Sequence, residues 1–222
     1  LPAVPGLETA SFYLPCGPEA EIGGDYYDLF VTPTGEIALA IGDVCGKGVA
    51  AATKTSMVKY ALRGLIGAGV TPGVALAELN RQIAATGDPA HIVTMWVGVL
   101  DRVSGTLTYA NGGHPPALLL RSGTRMIERL GTTGPLLGAV TQAVYGECRV
   151  EVNVGDSLLL YTDGVTEARQ GARLFGEGRV RRVLRRSPNA RACVDALLEA
   201  VKTYAVGPLK DDAAALVVRR LA

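Results

Sequence analysis

The spacing of hydrophobic positions changes along the chain, and these changes predict strands first and then a pair of helices. Three segments that alternate or are apolar throughout predict strands: "ETASFYLP", "GDYYDLFVT" and "EIALAIGD". Over residues 47–67 the apolar residues recur every three or four positions, which predicts a helix. A second helix is predicted from Pro72 to about Gly87, because Thr71 and Pro72 suit a cap and a first turn.

Strands and then helices follow again in the second half of the chain. Strands are predicted at "HIVTMWVGVLD", "TLTYANGG", "PPALLLRSG", "QAVYGECRVEVNVG", "DSLLLYTDG" and "DAAALVVRR", and helices at about 175–187 and 189–205. Because the strands form meanders and the helices come in pairs, the pattern is unlike the regular alternation of a parallel, doubly wound sheet. It favours antiparallel sheets covered by helical hairpins, which is an α+β fold.

Length and composition narrow the class of protein further. The 222 residues suit one large or two small domains, and a formal net charge of +1 offers no attraction for nucleic acid or an anionic membrane. No apolar run approaches the roughly 18 residues of a membrane span. The four cysteines lack the CxxC spacing of a zinc or redox site. We therefore expect a cytoplasmic protein, and a single domain over residues 1–222 that is excised from a longer multidomain protein.

The segment "AIGDVCGKGVAAAT" is similar to a phosphate-binding loop but fails the test for one. A P-loop needs four residues between its first glycine and the Gly-Lys-Ser/Thr at its end. Here only three residues separate Gly42 from Gly46, and Gly48 stands where the magnesium-binding hydroxyl is needed. The sequence therefore disfavours a nucleotide-binding module. It leaves Asp43, a carboxylate at the end of an apolar strand, to be explained.

Four aspartates lie at the ends of predicted strands: Asp25, Asp43, Asp163 and Asp211. The first three of them adjoin a glycine. An aspartate beside a glycine often marks a turn, and this is the interpretation adopted for Asp156 in "NVGDSL". It suits Asp43 and Asp163 less well, because both follow strongly apolar strands whose ends should meet at one edge of a sheet. Carboxylates gathered there need cations between them, and oxygen ligands favour Mg²⁺ or Mn²⁺ over zinc. Two such ions can activate a water for attack on phosphorus.

Other phosphatase chemistries leave distinct patterns, and this sequence lacks them. No cysteine is followed by five residues and then an arginine, and Asp-x-Asp does not occur. The two histidines, His91 and His114, lie outside any arginine-rich motif, and the Gly-x-Ser-x-Gly of serine hydrolases is absent. Metal-activated water is the chemistry that remains.

Six segments, in this order, resemble the SpoIIE/RsbU-type branch of the metal-dependent protein phosphatases, within the protein phosphatase 2C superfamily: "GGDYYDLF", "IGDVCGKG", "NGGHPPALLL", "LYTDGVTEAR", "LFGEGR" and "KDDAAALVV". The resemblance spans nearly the whole chain. It implies an αββα sandwich of two antiparallel β-sheets flanked by helix pairs. It also implies hydrolysis of phosphoserine or phosphothreonine on proteins, usually on a STAS-domain anti-anti-sigma factor that controls a sigma factor in a stress response.

The same resemblance implies a catalytic site with two Mn²⁺ or Mg²⁺ ions. By position, Asp43 should bridge the two ions and the main-chain carbonyl of Val44 should bind one of them. Asp25, Asp163 and Asp211 should complete the inner shell, directly or through water, and Asp25, Asp43 and Asp163 should carry the catalysis. Val44 stands where the eukaryotic branch has a histidine, so the general acid is not identified.

Four further residues are candidates for supporting the ligands or contacting substrate: Asp28, Lys47, His114 and Asp212. Asp212 follows the family ligand in an acidic pair. Lys47 stands where many relatives have histidine, and it either holds substrate phosphate or faces solvent at the start of a helix. His114, between Gly-Gly and Pro-Pro, either makes a structural hydrogen bond at a strand corner or takes part in catalysis.

Residues 179–186, "RVRRVLRR", hold five arginines. Val180, Val183 and Leu184 form the inward stripe of the predicted helix, so the arginines fall on its exposed face. That face is either a solvated surface or a docking site for an acidic partner.

The resemblance also suggests how such a domain is used. It implies an upstream sensor domain in the same chain and leaves open a homodimer of the full-length protein. A different class is a catalytically weak or inactive sensor or dimerisation module, which the presence of all four candidate ligand aspartates disfavours.

Overall fold

The computed structural model describes residues 1–16, 23–46, 48–88 and 91–222. Within these ranges the chain forms two compact units, and each is built on a five-stranded antiparallel sheet. Unit 1 takes its described residues from Leu1–Glu21, Ala117–Leu130 and Val152–Ala222. Unit 2 takes its described residues from Ile22–Pro116 and Gly131–Glu151.

The chain passes from unit 1 to unit 2 and back more than once. Its first seven elements are β1 (Leu7–Leu14), β2 (Asp25–Val31), β3 (Ile37–Val44), α1 (Gly48–Gly67), α2 (Pro72–Ala85), β4 (Val93–Leu100) and β5 (Thr106–Gly112). The others are β6 (Ala117–Leu120), β7 (Ile127–Leu130), β8 (Cys148–Glu151), β9 (Ser157–Tyr161), α3 (Asp163–Glu167), β10 (Arg169–Gln170), β11 (Arg173–Leu174), α4 (Glu177–Arg186), α5 (Ala190–Tyr204) and β12 (Ala213–Arg220). Both predicted helix pairs are present. No helix in the described ranges combines the length and the hydropathy needed to cross a membrane.

Unit 2 is a sheet with the strand order β2-β3-β4-β5-β8, covered on one face by α1 and α2. Leu62 of α1 and Leu79 of α2 are buried against small and apolar residues of the strands, such as Ala40 and Val97. This burial of an amphipathic helix face is the main source of stability for the helix pair. Since β3 ends at Val44 and α1 begins at Gly48, the last residues of β3 lie directly before the helix.

Unit 1 is a sheet with the strand order β1-β12-β9-β6-β7, covered by α4 and α5. Leu184 of α4 and Leu197 of α5 are buried against Leu159 of β9 and Val217 of β12. Strand β9 leads directly into α3, so the first residue of α3 stands at the end of a buried strand.

The sequence pattern missed the shortest elements and overextended one strand. Helix α3 has five residues, and β7, β10 and β11 have four or fewer, which is too short for a hydrophobic period to show. The strand predicted at "QAVYGECRVEVNVG" is wrong in length, because only Cys148–Glu151 pairs with β5. Tyr145, which precedes β8, turns into the core of unit 2 instead.

Asp156 is more than the turn residue that its Gly-Asp context predicted. Its N–H donates to the Asn153 carbonyl at 3.0 Å, which closes the turn. Its carboxylate is only 2% exposed, and it accepts from Arg121 Nη1 at 2.9 Å and from the Ser122 N–H at 2.8 Å. The turn interpretation is therefore right for the backbone and wrong for the side chain, which joins the end of β6 to the start of β9.

Asp156→Asn is expected to lower the free energy of unfolding by about 1–3 kcal/mol, because the buried partner of Arg121 loses its charge. Turnover per folded molecule should remain that of the wild type, since the carboxylate is engaged by Arg121 and two backbone N–H groups. Urea denaturation of the two proteins tests the first expectation. An unchanged midpoint would show that the ion pair does not contribute to stability.

Candidate metal centre

Asp25 and Asp43 lie opposite each other on β2 and β3 in unit 2. The register pairs Asp25 with Asp43, and Asp43 with Thr94 of β4. Because the Val44 N–H donates to the Gly24 carbonyl at 3.1 Å, the Asp25–Asp43 pair falls at a non-hydrogen-bonded position. The Cα atoms of such a pair are about 4.5 Å apart and the side chains point to the same face. Like charges in this arrangement destabilise a sheet, and positive charge nearby would offset that effect.

Gly24 allows the start of β2 to approach the end of β3 closely. A Cβ atom on Gly24 would lie 1.9 Å from the carbonyl oxygen of Val44 and 2.8 Å from Asp43 Oδ1. The φ angle of Gly24 is not positive, so the glycine is needed for space and not for a turn. The oxygen atoms of Asp43 and Val44 therefore both face the backbone of Gly24.

Asp163 and Asp211 form the second pair of aspartates, in unit 1. Asp163 is the first residue of α3, directly after the N-cap residue Thr162. Asp211 lies shortly before β12, and its Oδ1 accepts the Asp212 N–H at 2.9 Å. Burial raises the pKa of the Asp163 carboxyl above its usual range, and the negative charge of Asp211 raises it further. Asp211 is thus close enough for its negative charge to disfavour ionisation of Asp163.

One oxygen of Asp163 indicates what this pair binds. Asp163 Oδ1 is buried and has no hydrogen-bond partner among the described residues. A buried carboxylate oxygen without a partner is costly, and a bound cation would satisfy it.

The donor atoms fit Mg²⁺ or Mn²⁺. Within each unit, the described residues do not gather three or more His, Cys, Asp or Glu side chains that could hold a metal ion. Each unit instead offers one pair of aspartates, and unit 2 adds the carbonyl of Val44. Carboxylate and carbonyl oxygens are the ligands that these hard cations prefer.

Comparison with known proteins identifies the family. A model of the family Stage II sporulation protein E (SpoIIE) matches residues 33–221. The chain belongs to the SpoIIE family. It is 34% identical over 152 residues to the phosphoserine phosphatase RsbU of Bacillus subtilis, and the alignment covers 68% of this chain and 45% of RsbU. The chain thus spans less than half the length of this relative.

Solved structures show the same fold. The RsbU and RsbW domains of Rv1364c from Mycobacterium tuberculosis match with a TM-score of 0.83 and 32% identity, over 100% of this chain and 62% of that one. The PP2C phosphatase domain of SpoIIE from Bacillus subtilis matches with a TM-score of 0.83 and 18% identity, over 97% of this chain and 63% of that one. RsbX in complex with magnesium matches with a TM-score of 0.75 and 16% identity, over 99% of this chain and 98% of that one. The chain therefore has the protein phosphatase 2C fold, and the predicted α+β class is confirmed.

Asp212 holds the segment that carries Asp211 in place through hydrogen bonds to β1 and to the residues that follow it. Its carboxylate is buried and accepts the Tyr13 O–H at 2.5 Å and the Cys16 N–H at 2.9 Å. A Cβ atom on Gly164 of α3 would lie 1.8 Å from the Asp212 carbonyl oxygen. Sequence reasoning missed Tyr13 and Gly164. The Asp163-Gly164 sequence was the signal that could have indicated this contact. Here the glycine allows the backbones of Gly164 and Asp212 to approach closely, and it does not mark a turn.

Asp28 does not lie with Asp25 and Asp43. It is three residues from Asp25 on β2, so its side chain points to the opposite face of the sheet. There it accepts from Arg63 of α1 twice, from Nε at 2.5 Å and from Nη2 at 2.9 Å, and Lys59 Nζ lies at 3.7 Å. The geometry makes Asp28 an anchor for α1, and Arg63 is a residue that sequence reasoning missed.

His114 is buried and held by hydrogen bonds after β5. Its N–H donates to Asn111 Oδ1 at 2.8 Å, and its carbonyl accepts from Asn111 Nδ2 at 3.0 Å. Its Nδ1 lies 2.8 Å from Thr94 Oγ1, and Thr94 is the strand partner of Asp43. These contacts favour the structural interpretation of His114, which supports Thr94, the residue opposite Asp43 on β4. Lys47 lies outside the described residues.

Proposed function

We propose that this domain is a metal-dependent protein serine/threonine phosphatase, which hydrolyses phosphoserine or phosphothreonine on a protein. The observation that carries the proposal is the pair of aspartates in each unit, Asp25 with Asp43 and Asp163 with Asp211. Two ionised carboxylates so placed repel each other, and a bound metal cation would relieve that repulsion. Similarity to the phosphoserine phosphatase RsbU supports the same activity.

The proposed cofactor is Mn²⁺ or Mg²⁺, as two ions. The proposed ligands are Asp25, Asp43, the Val44 carbonyl, Asp163 and Asp211, directly or through water. The hard oxygen donors support this choice, and so does the magnesium in the similar structure of RsbX. When bound, such ions supply an activated water for in-line attack on phosphorus and neutralise charge on the phosphoryl oxygens.

The other residues of the site position these ligands. Gly24 keeps the backbone of β2 against the oxygen atoms of Asp43 and Val44. Asp212 holds the backbone next to Asp211 through its own N–H and through Tyr13. Supporting contacts of this kind commonly change metal affinity by about 10- to 100-fold when they are removed.

The substrate that we propose is a phosphorylated STAS-domain anti-anti-sigma factor in the cytoplasm. Similarity to RsbU, and to a protein that contains both an RsbU and an RsbW domain, supports a role in sigma-factor regulation. As further proposals, an upstream sensor domain of the same full-length protein controls the phosphatase, and the full-length protein forms a homodimer.

Hydrolysis of p-nitrophenyl phosphate by the purified domain tests the proposed activity. Turnover is expected with Mn²⁺, is expected to stop in excess chelator, and should return when Mn²⁺ is added back. A folded domain that binds Mn²⁺ but shows no turnover would favour an inactive sensor or dimerisation module. Full turnover in chelator with no bound metal would overturn the metal dependence.

A further inference from the structure

Helix α4 presents a face rich in arginine. Its ten residues include five arginines, at positions 179, 181, 182, 185 and 186. Val180 and Leu184 are buried in the core of unit 1, so the opposite side of the helix faces solvent. The whole chain has a formal net charge of only +1, which makes this a local concentration of positive charge.

Three of the five arginines are engaged within unit 1. They are Arg179, which donates to the Phe175 carbonyl at 2.7 Å, Arg181, whose Nη1 lies 3.7 Å from a Glu177 oxygen, and Arg185, which donates to the Arg125 carbonyl at 3.3 Å. Arg179 also lies 4.5 Å from the centre of the Tyr204 ring. These contacts hold the helix and the loop before it in place.

Arg182 and Arg186 differ from the other three. Both are exposed, and a spacing of four residues places them one turn apart on the same face of α4. In the part of the chain that the structure describes, no carboxylate lies within ion-pair distance of either guanidinium. Their donors are therefore available to an anionic partner.

A shallow depression of about 410 Å³ adjoins Arg182. It is lined by Leu174, Phe175, Gly176, Gly178, Arg179 and Arg182. A Cβ atom on either glycine would meet nothing within 4 Å, and Leu174 is 42% exposed, so the depression is open and partly apolar. An arginine rim beside an exposed apolar side chain is typical of protein-binding surfaces.

Hydrogen bonds connect this surface to α3, which carries Asp163. The Gly176 N–H, at the N-cap of α4, donates to the Thr166 carbonyl at 2.9 Å. Thr166 Oγ1 donates in turn to the Asp163 carbonyl at 3.0 Å. The start of α4 is thus fixed to the helix that contains a proposed metal ligand.

We propose that Arg182, Arg186 and the depression beside them form a docking surface for an acidic, partly apolar surface of the phosphoprotein substrate. The identity of this partner as the substrate rests on the proposed phosphatase function. Guanidinium groups bind carboxylates in a bidentate manner, which suits them to acidic side chains. Nucleic acid is a weaker fit, because binding to its backbone uses many cations along a groove.

Binding of two phosphoserine peptides tests the docking surface. One peptide carries Asp, Glu and Leu residues on both sides of the phosphoserine, and the other has Asn and Gln in place of the acids. Arg182→Ala/Arg186→Ala is expected to weaken binding of the acidic peptide about fivefold, measured by fluorescence anisotropy, because two exposed ion pairs are lost. Binding of the neutral peptide should not change.

Arg149→Ala/Arg191→Ala is the matched control, because it removes two exposed arginines that lie outside α4. This variant should bind the acidic peptide as the wild type does. Turnover of p-nitrophenyl phosphate should be the same in all three proteins, since the small substrate does not reach the docking surface.

The outcomes separate the docking surface from the proposed function. Equal binding of the acidic peptide by the wild type and Arg182→Ala/Arg186→Ala would overturn the docking surface, even with full phosphatase activity. Arginine-dependent binding without hydrolysis of any phosphate ester would uphold the surface and reject the phosphatase. Preferential, arginine-dependent binding of a single-stranded oligonucleotide over the acidic peptide would overturn the assignment to an acidic protein.

Discussion

Asp43→Asn and Asp163→Asn are each expected to lower phosphatase turnover by roughly a hundredfold or more while the fold stays intact. Asp43 is directly opposite Asp25 in the β2–β3 register, and Asp163 has a buried Oδ1 without a hydrogen-bond partner in the described ranges. Each substitution removes a charge that we propose holds metal. Turnover with p-nitrophenyl phosphate at saturating Mn²⁺, together with circular dichroism, measures both parts of this expectation.

Thermal stability without metal gives an independent check on Asp163. The pKa of its carboxyl is raised by burial and by Asp211, so the ionised form is unfavourable in the folded, metal-free protein. Asp163→Asn should therefore raise the melting temperature of the metal-free protein at neutral pH. This gain should shrink as the pH falls through the raised pKa, because the wild-type carboxyl then takes up a proton and loses its charge.

Asp156→Asn serves as the control for both aspartate variants. It also removes a carboxylate beside a glycine, but its side chain is engaged by Arg121. Wild-type turnover in Asp43→Asn or Asp163→Asn would contradict the assignment of these residues to metal. A loss of turnover per folded molecule in Asp156→Asn as large as in Asp43→Asn would show that the aspartates were sorted wrongly.

Gly24→Ala is expected to reduce turnover and Mn²⁺ affinity nearly as much as Asp43→Asn does. The added methyl group would lie 1.9 Å from the Val44 carbonyl oxygen and 2.8 Å from Asp43 Oδ1, so the backbone has to move. Both of these oxygen atoms belong to proposed ligands, and a shift of either displaces a metal-binding group. Calorimetric Mn²⁺ titration and a turnover assay of the same samples measure the two effects.

Gly64→Ala is the matched control for Gly24→Ala. Gly64 lies within α1, and a Cβ atom there would meet nothing within 4 Å. This substitution should stabilise the protein by about 0.5–1 kcal/mol and leave Mn²⁺ affinity unchanged. If Gly24→Ala bound Mn²⁺ as tightly as Gly64→Ala does, the close approach at Gly24 would have no role in metal binding.

Hydrophobic periodicity was sufficient to locate both helix pairs and the long strands. Helix α1, for example, buries Val58, Leu62 and Ile66, and this spacing is visible in the sequence. Periodicity was insufficient for α3, whose five residues include only two that are buried. The aspartates at the ends of β2, β3 and β9 could be selected as candidates because each stands at the boundary of an apolar or alternating segment.

Contacts between residues far apart in sequence could not be predicted from local patterns. Tyr13 and Asp212 are separated by 199 positions, and no local rule connects them. The face of the sheet on which Asp28 lies could in principle be predicted from the sequence, because an odd spacing from Asp25 along a strand places the two side chains on opposite faces. Its partner Arg63 could not be predicted, since it lies 35 positions further along the chain, on α1.

Phosphate release from a phosphoserine peptide, measured at increasing Mn²⁺ on metal-stripped protein, tests the central claim most directly. The bound Mn²⁺ is counted in the same samples. The rate should be negligible without metal, should rise with occupancy, and should reach its maximum at two ions per chain. Asp163→Asn should fail to reach this rate at any Mn²⁺ concentration. Release at the full rate from protein that holds no metal would contradict the claim.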